Sequence, residues 1–133
     1  MVKIELALVI CGPGEDRTRV LEALQTVYVN PICCETVKDA RCLLPQDQFR
    51  VVVCNETLPD GDFRMVLKRM EESGSSAPLI VLSHSTDSRS YLKGLRVGAF
   101  DYITCPLNPI ETERVLWSAL AVKTPASLQP THP

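Results

Sequence analysis

With 133 residues, 45% of them hydrophobic and 23% charged, the chain has the size and composition of one globular domain, which excludes disorder along its body and a second core. A net charge of -2 provides no basic footprint, and the longest apolar runs are strand-sized, so neither nucleic-acid binding nor a membrane span is expected. The six cysteines show no CxxC pair or zinc-finger spacing and follow no secretory leader, which points to a reduced, cytoplasmic protein rather than a disulfide framework.

In chain order, the aliphatic run Ile4 to Ile10 predicts a strand that stops at Cys11-Gly12-Pro13-Gly14. Asp16 and the spacing Val20, Leu21, Leu24, Val27 then mark an amphipathic helix. Tyr28 to Cys34 reads as a second strand, placed at a sheet edge because Pro31 lacks the N–H a central strand needs. Thr36 caps a short helix that turns Val37, Ala40, Leu43 and Leu44 inward and ends at Pro45.

The run Val51 to Cys54 is the most informative strand, because it breaks abruptly into Asn55, Glu56 and Thr57. In an open α/β sheet, ligands gather beyond the carboxyl ends of parallel strands, so Asn55 sets the chemistry there. Leu58-Pro59-Asp60-Gly61 turns the chain into a helix with Phe63, Val66, Leu67 and Met70 on one face, broken at Ser73-Gly74-Ser75-Ser76. Pro78 to Leu82 is a fourth strand leading to Ser83-His84-Ser85, and Ser88 to Val97 a helix closed by Gly98. Phe100 to Thr104 is a fifth strand. Beyond Cys105-Pro106, Ile110, Val115, Leu116, Ala119 and Leu120 space a last helix from about Pro109 to Val122. Strands alternating with helices imply one α/β domain over residues 1–122, and the proline-bearing stretch 123–133 reads as a tail or linker.

Three stretches together resemble the receiver domain of two-component response regulators. They are Leu58-Pro59-Asp60-Gly61-Asp62, Ile80-Val81-Leu82-Ser83 and Gly98-Ala99-Phe100-Asp101-Tyr102-Ile103-Thr104-Cys105-Pro106, and the resemblance covers roughly residues 4–122. It implies a flavodoxin-like, doubly wound parallel sheet of strand order 2-1-3-4-5. It also implies a phosphate-accepting aspartate three residues before the Leu of Leu58-Pro59, where this chain has Asn55. The acidic pair that holds Mg²⁺ in the family falls on Cys11 and Gly12, and the lysine before the proline falls on Cys105. Only the hydroxyl position, Ser83, and the aromatic that moves with it, Tyr102, keep the family's chemistry.

These losses act together. A carboxamide oxygen is a far poorer nucleophile than a carboxylate, a thiol and a glycine supply no hard oxygen ligand to Mg²⁺, and a cysteine supplies no positive charge to a phosphoryl group. The expectation is therefore a degenerate receiver, a pseudo-receiver acting as a protein-interaction module without catalysis, metal or cofactor. Asn55 would bond Ser83 or loop backbone, and His84 would cover the pocket. Tyr102 and Trp117 would belong to a face, formed by the fourth helix, fifth strand and last helix, that takes a protein partner, an effector domain or a second copy of the chain. Two alternatives stand beside it: an orthodox phosphorylated receiver, and a metal or thiol redox site carried by Cys11, Cys105 and His84 on the same fold. Glu15, Asp16, Glu56 and Asp60 are nearby acids whose spacing is not that of the family's metal site.

Overall fold

The computed structural model describes residues 4–85 and 88–122; the tail expected over 123–133 lies outside the described residues. The elements are β1 (Leu6–Ile10), α1 (Glu15–Thr26), β2 (Asn30–Cys34), α2 (Val37–Leu43), β3 (Phe49–Asn55), β4 (Thr57–Leu58), β5 (Gly61–Asp62), α3 (Phe63–Ser73), β6 (Leu79–Ser83), α4 (Ser88–Arg96), β7 (Asp101–Thr104) and α5 (Pro109–Leu120). Five strands form one sheet in the order β2-β1-β3-β6-β7, every pair parallel, which is 2-1-3-4-5 once the small hairpin is set aside. The flavodoxin-like α/β fold implied by the resemblance is the fold observed.

The central strands are apolar without a break because helices cover both faces of the sheet. Successive side chains nevertheless part by the period of two. Ala7, Val9, Val51, Val53, Ile80 and Leu82 point to the side packed by α1 and α5, and Leu8, Ile10, Val52, Cys54, Leu79 and Val81 to the side packed by α2 and α3. All of these are buried, so the strand ends are held from both faces and the loops beyond them are rigidly aimed.

Local chemistry sets the boundaries. The Thr36 side chain caps α2 by accepting from the Asp39 N–H, Asp62 caps α3 by accepting from Arg64 and Met65, and Gly74 closes α3 in the left-handed region at φ 77. Glu15 and Asp16 open α1, where negative charge complements the helix dipole.

Some expectations need correction. The second strand starts at Asn30, because Tyr28 turns the chain at φ 62 and stands 86% exposed. The spacing of the last helix predicts Ile110 in the core, yet it is 79% exposed. The buried stripe of α5 is Thr112, Val115, Leu116 and Ala119, and at 100° per residue Ile110 falls on the opposite side, in line with Trp117. The turn after β3 is also more ordered than expected. It closes the β4–β5 hairpin, pairing Thr57 with Asp62 and Leu58 with Gly61, and the Asp60 carboxylate pins the hairpin to α2 through the N–H groups of Val37 and Lys38 at 2.8 and 3.1 Å.

Candidate functional site

The carboxyl ends of β1, β3, β6 and β7 deliver Cys11, Asn55, Ser83 and Cys105 to one edge of the sheet. Cys11 is the first residue past β1, buried, with its N–H bonded to the Cys34 carbonyl and its own carbonyl accepting from Arg17 Nε at 2.9 Å. Burial, and next the negative charge of Asp16, push its thiol up, while a hydrogen bond from the Asn55 side chain and the Arg17 charge oppose them. Asn55 ends β3 half-buried. The expected bond runs from Asn55 to Ser83 or loop backbone; the Ser83 hydroxyl is donated instead to Glu56.

Glu56 is the centre of the site. Its N–H bonds the Leu82 carbonyl, continuing the β3–β6 ladder, and this register sets it level with Ser83. Its Oε1 accepts the Ser83 hydroxyl at 2.8 Å and its Oε2 accepts the Tyr102 hydroxyl at 2.9 Å, so both carboxylate oxygens are engaged by side chains from two other strands. Ser83 Oγ in turn accepts the Ser85 N–H at 3.0 Å. The Tyr102 ring sits edge-on to Phe63, with centroids 5.8 Å apart. Burial of the phenol, then the bond to Glu56 and the charge of that carboxylate, push the Tyr102 hydroxyl well above its ordinary range.

A second group lies beside it. Asp16, the second residue of α1, reaches His84 with Oδ2 2.9 Å from Nε2. Burial, then the nearby Asp16 charge and hydrogen bonding toward it, push the Cys105 thiol up to about 12. His84 therefore spans from the end of β6 to the start of α1 with its side chain 74% exposed. Trp117 stands 53% exposed on α5, whereas Tyr102 is half-buried against Phe63. At the carboxyl end of β2, a groove of about 480 Å³ runs between β2 and α2, lined by Arg17, Glu35, Asp39 and the thiols of Cys33, Cys34 and Cys42.

No family profile matches the chain. The response regulator protein PilR of Pseudomonas aeruginosa is 25% identical over 119 residues, covering 90% of this chain and 27% of PilR. Among solved structures, the chemotaxis response regulator CheY4 of Vibrio cholerae superposes with a TM-score of 0.77 at 20% identity, covering 89% of this chain and 100% of that one. The DrrB receiver domain, solved in its BeF3-activated form, superposes at 0.76 and is 27% identical, covering 89% of this chain and 98% of that one.

The chain is receiver-like in sequence and in fold. It spans between about a quarter and a third of the length of the curated relatives it matches. Among the described residues no helix is long and apolar enough to cross a membrane.

Receiver likeness implies Mg²⁺ at the strand ends, and the residues present do not fit it. Where the acidic pair would stand there is a buried thiol at Cys11 and no side chain at Gly12, and Asn55 brings a neutral amide in place of a carboxylate. A Cβ at Gly12 would come within 3.3 Å of Glu35 Oε1, the tip of an exposed side chain that can swing aside. Mg²⁺ demands octahedral oxygen ligation, which this donor set does not supply.

Two residues that matter were underrated from sequence. Glu56 and Asp16 were visible only as acids at unfamiliar spacing. The signal for Glu56 was its place one residue past the β3 end, where strand alternation puts it on the opposite face of the sheet from Asn55.

Proposed function

We propose that the chain is a phosphorylation-independent, receiver-like protein-interaction module of a cytoplasmic two-component-type signalling system, with no catalysis of its own. The observation that carries this is the Glu56 carboxylate bound by both Ser83 and Tyr102. Here an anion is built into the chain, so the hydroxyl and the tyrosine have a permanent partner. Adding a phosphoryl group would bring more negative charge beside Glu56 and Asp16, with no lysine at Cys105 to offset it.

The output surface would be the one around α4, β7 and α5. Leu92, Val97, Ile110 and Trp117 are all large, apolar and exposed there, and exposed aromatic and aliphatic anchors are the usual currency of a protein interface. Its occupant would be an effector domain, another signalling protein or a second copy of the chain.

The test is an amide NMR titration with Mg²⁺ and then beryllofluoride, run on the native chain and on a Cys11→Asp, Gly12→Asp, Asn55→Asp, Cys105→Lys variant. Silence in the native chain with a response in the variant supports the proposal. Shifts in the native chain at Asn55, Ser83 and Tyr102 would restore the orthodox phosphorylated receiver in its place.

A further inference from the structure

We propose that Asp16, His84 and Cys105 form a site for a borderline transition-metal ion, zinc foremost, distinct from the hard-cation site that receiver likeness implies. One ligand atom from each residue lies within 4.8 Å of the other two, and the three come from separate segments: the first turn of α1, the loop after β6 and the loop after β7. Side chains 68 residues apart, His84 and Asp16, already meet at 2.9 Å.

The donor set decides the class of ion. A thiolate, an imidazole and a carboxylate match zinc, cobalt and related borderline ions, whereas Mg²⁺ and Ca²⁺ want oxygen alone. Bonds of about 2.0–2.3 Å at tetrahedral angles place zinc ligands about 3.3–3.7 Å apart, so the widest separation has to close by about an ångström. Buried Cys105 is the fixed corner and exposed His84 the movable one. Charge also balances: one thiolate and one carboxylate neutralise a divalent ion. Three protein ligands leave a fourth position for water or an incoming ligand, the arrangement of open rather than purely structural zinc sites.

Binding is a ligand exchange without redox change. The Cys105 S–H bond breaks, its proton passes to solvent, and a metal–sulfur bond forms. His84 passes its Nε2 proton through solvent to Nδ1 and gives the Nε2 lone pair so freed, so its hydrogen bond with Asp16 is replaced by two bonds to the ion.

Cobalt(II) is the probe, added to the reduced full chain without oxygen near pH 7.5. The expected result is one ion per chain with a near-ultraviolet thiolate-to-cobalt charge-transfer band, bleached by zinc, and release of about one proton per ion. Cys105→Ser should lose the band, and His84→Ala and Asp16→Asn should each weaken binding by at least about tenfold. Cys33→Ser and Cys42→Ser, at exposed thiols away from the cluster, should leave it unchanged. Absence of the band in the folded native chain, or its survival in Cys105→Ser, overturns the proposal. Should Cys105→Ser fail to fold by amide NMR, His84→Ala decides: its side chain is mostly solvent-exposed, and undiminished affinity there overturns the proposal equally.

Discussion

Tyr102 donates its hydroxyl hydrogen to Glu56 Oε2 across 2.9 Å, joining the edge strand of the sheet to the residue just past β3. Because the bond serves the protonated phenol, it resists ionisation, adding to the effect of burial. Glu56→Ala removes both the acceptor and the repelling charge, so Tyr102 should ionise at lower pH, closer to the ordinary value of about 10. The same change strands the Ser83 hydroxyl and should cost about 1.5–3 kcal/mol for each charged hydrogen bond lost. Absorbance of the phenolate against pH, with Tyr102→Phe to assign the transition, reads the first effect. An unshifted Tyr102 transition would show that Glu56 has no hold on the ring.

Phe63 should matter for the site as well as the core. It is one of the largest fully buried side chains, the first residue of α3, and the ring against which Tyr102 stands edge-on. Phe63→Ala should cost about 3–5 kcal/mol through lost burial and the cavity left behind. Denaturant melts should show a lower midpoint at unchanged slope, and a change of midpoint worth under about 1 kcal/mol would mean that the neighbourhood collapses to fill the space.

The thiols should divide by burial. Cys34 is pushed up to about 12, by burial first and then by the Asp39 charge, whereas Cys33 and Cys42 are exposed. At pH 8 the Cys34 thiolate is then about a thousandfold scarcer than that of an ordinary thiol of pKa 9. Iodoacetamide with peptide mapping should find Cys33 and Cys42 modified well before Cys34 and Cys54. The linkage sign follows: the folded chain keeps the Cys34 proton to higher pH than the unfolded chain does. Its contribution is complete below about pH 9 and lost as pH rises toward about 12, so stability should fall over that window, and less steeply in Cys34→Ala.

Periodicity carried the strands and helices, because buried strands must be continuously apolar and helices must show a stripe, while the strand order came from the family resemblance; periodicity failed where one residue can be counted onto either face. Ile110 is that case. An aliphatic residue near the start of α5 looks like core until the whole stripe from Thr112 to Ala119 is laid out at 100° per residue. Positions were legible at the site, since the end of the first apolar run located Cys11 and Gly12, and the resemblance around Leu58-Pro59 and Cys105-Pro106 located Asn55 and Cys105. Partnerships were not. Glu56 meets Ser83 across 27 residues and Tyr102 across 46, and which side chain takes which partner depends on strand register and reach that no local pattern encodes.

The hairpin anchor at Asp60 offers a test within a single turn of helix. Its carboxylate accepts from the Val37 N–H at 2.8 Å and the Lys38 N–H at 3.1 Å, while the next free donor of α2, the Asp39 N–H, is held by Thr36 at 3.0 Å. The bond from Val37 leads in holding the Asp60 carboxyl below the usual carboxylate range, against opposing desolvation. A lowered folded value means that the stabilisation is present above the unfolded value of about 3.9 and is lost as pH falls through the folded one. Asp60→Ala should therefore speed amide hydrogen exchange at Val37 and Lys38, leave Asp39 protected, and remove this group's share of the acid-side loss of stability. Equal acceleration at all three amides would point instead to melting of α2 as a whole, with no specific anchor at its first turn.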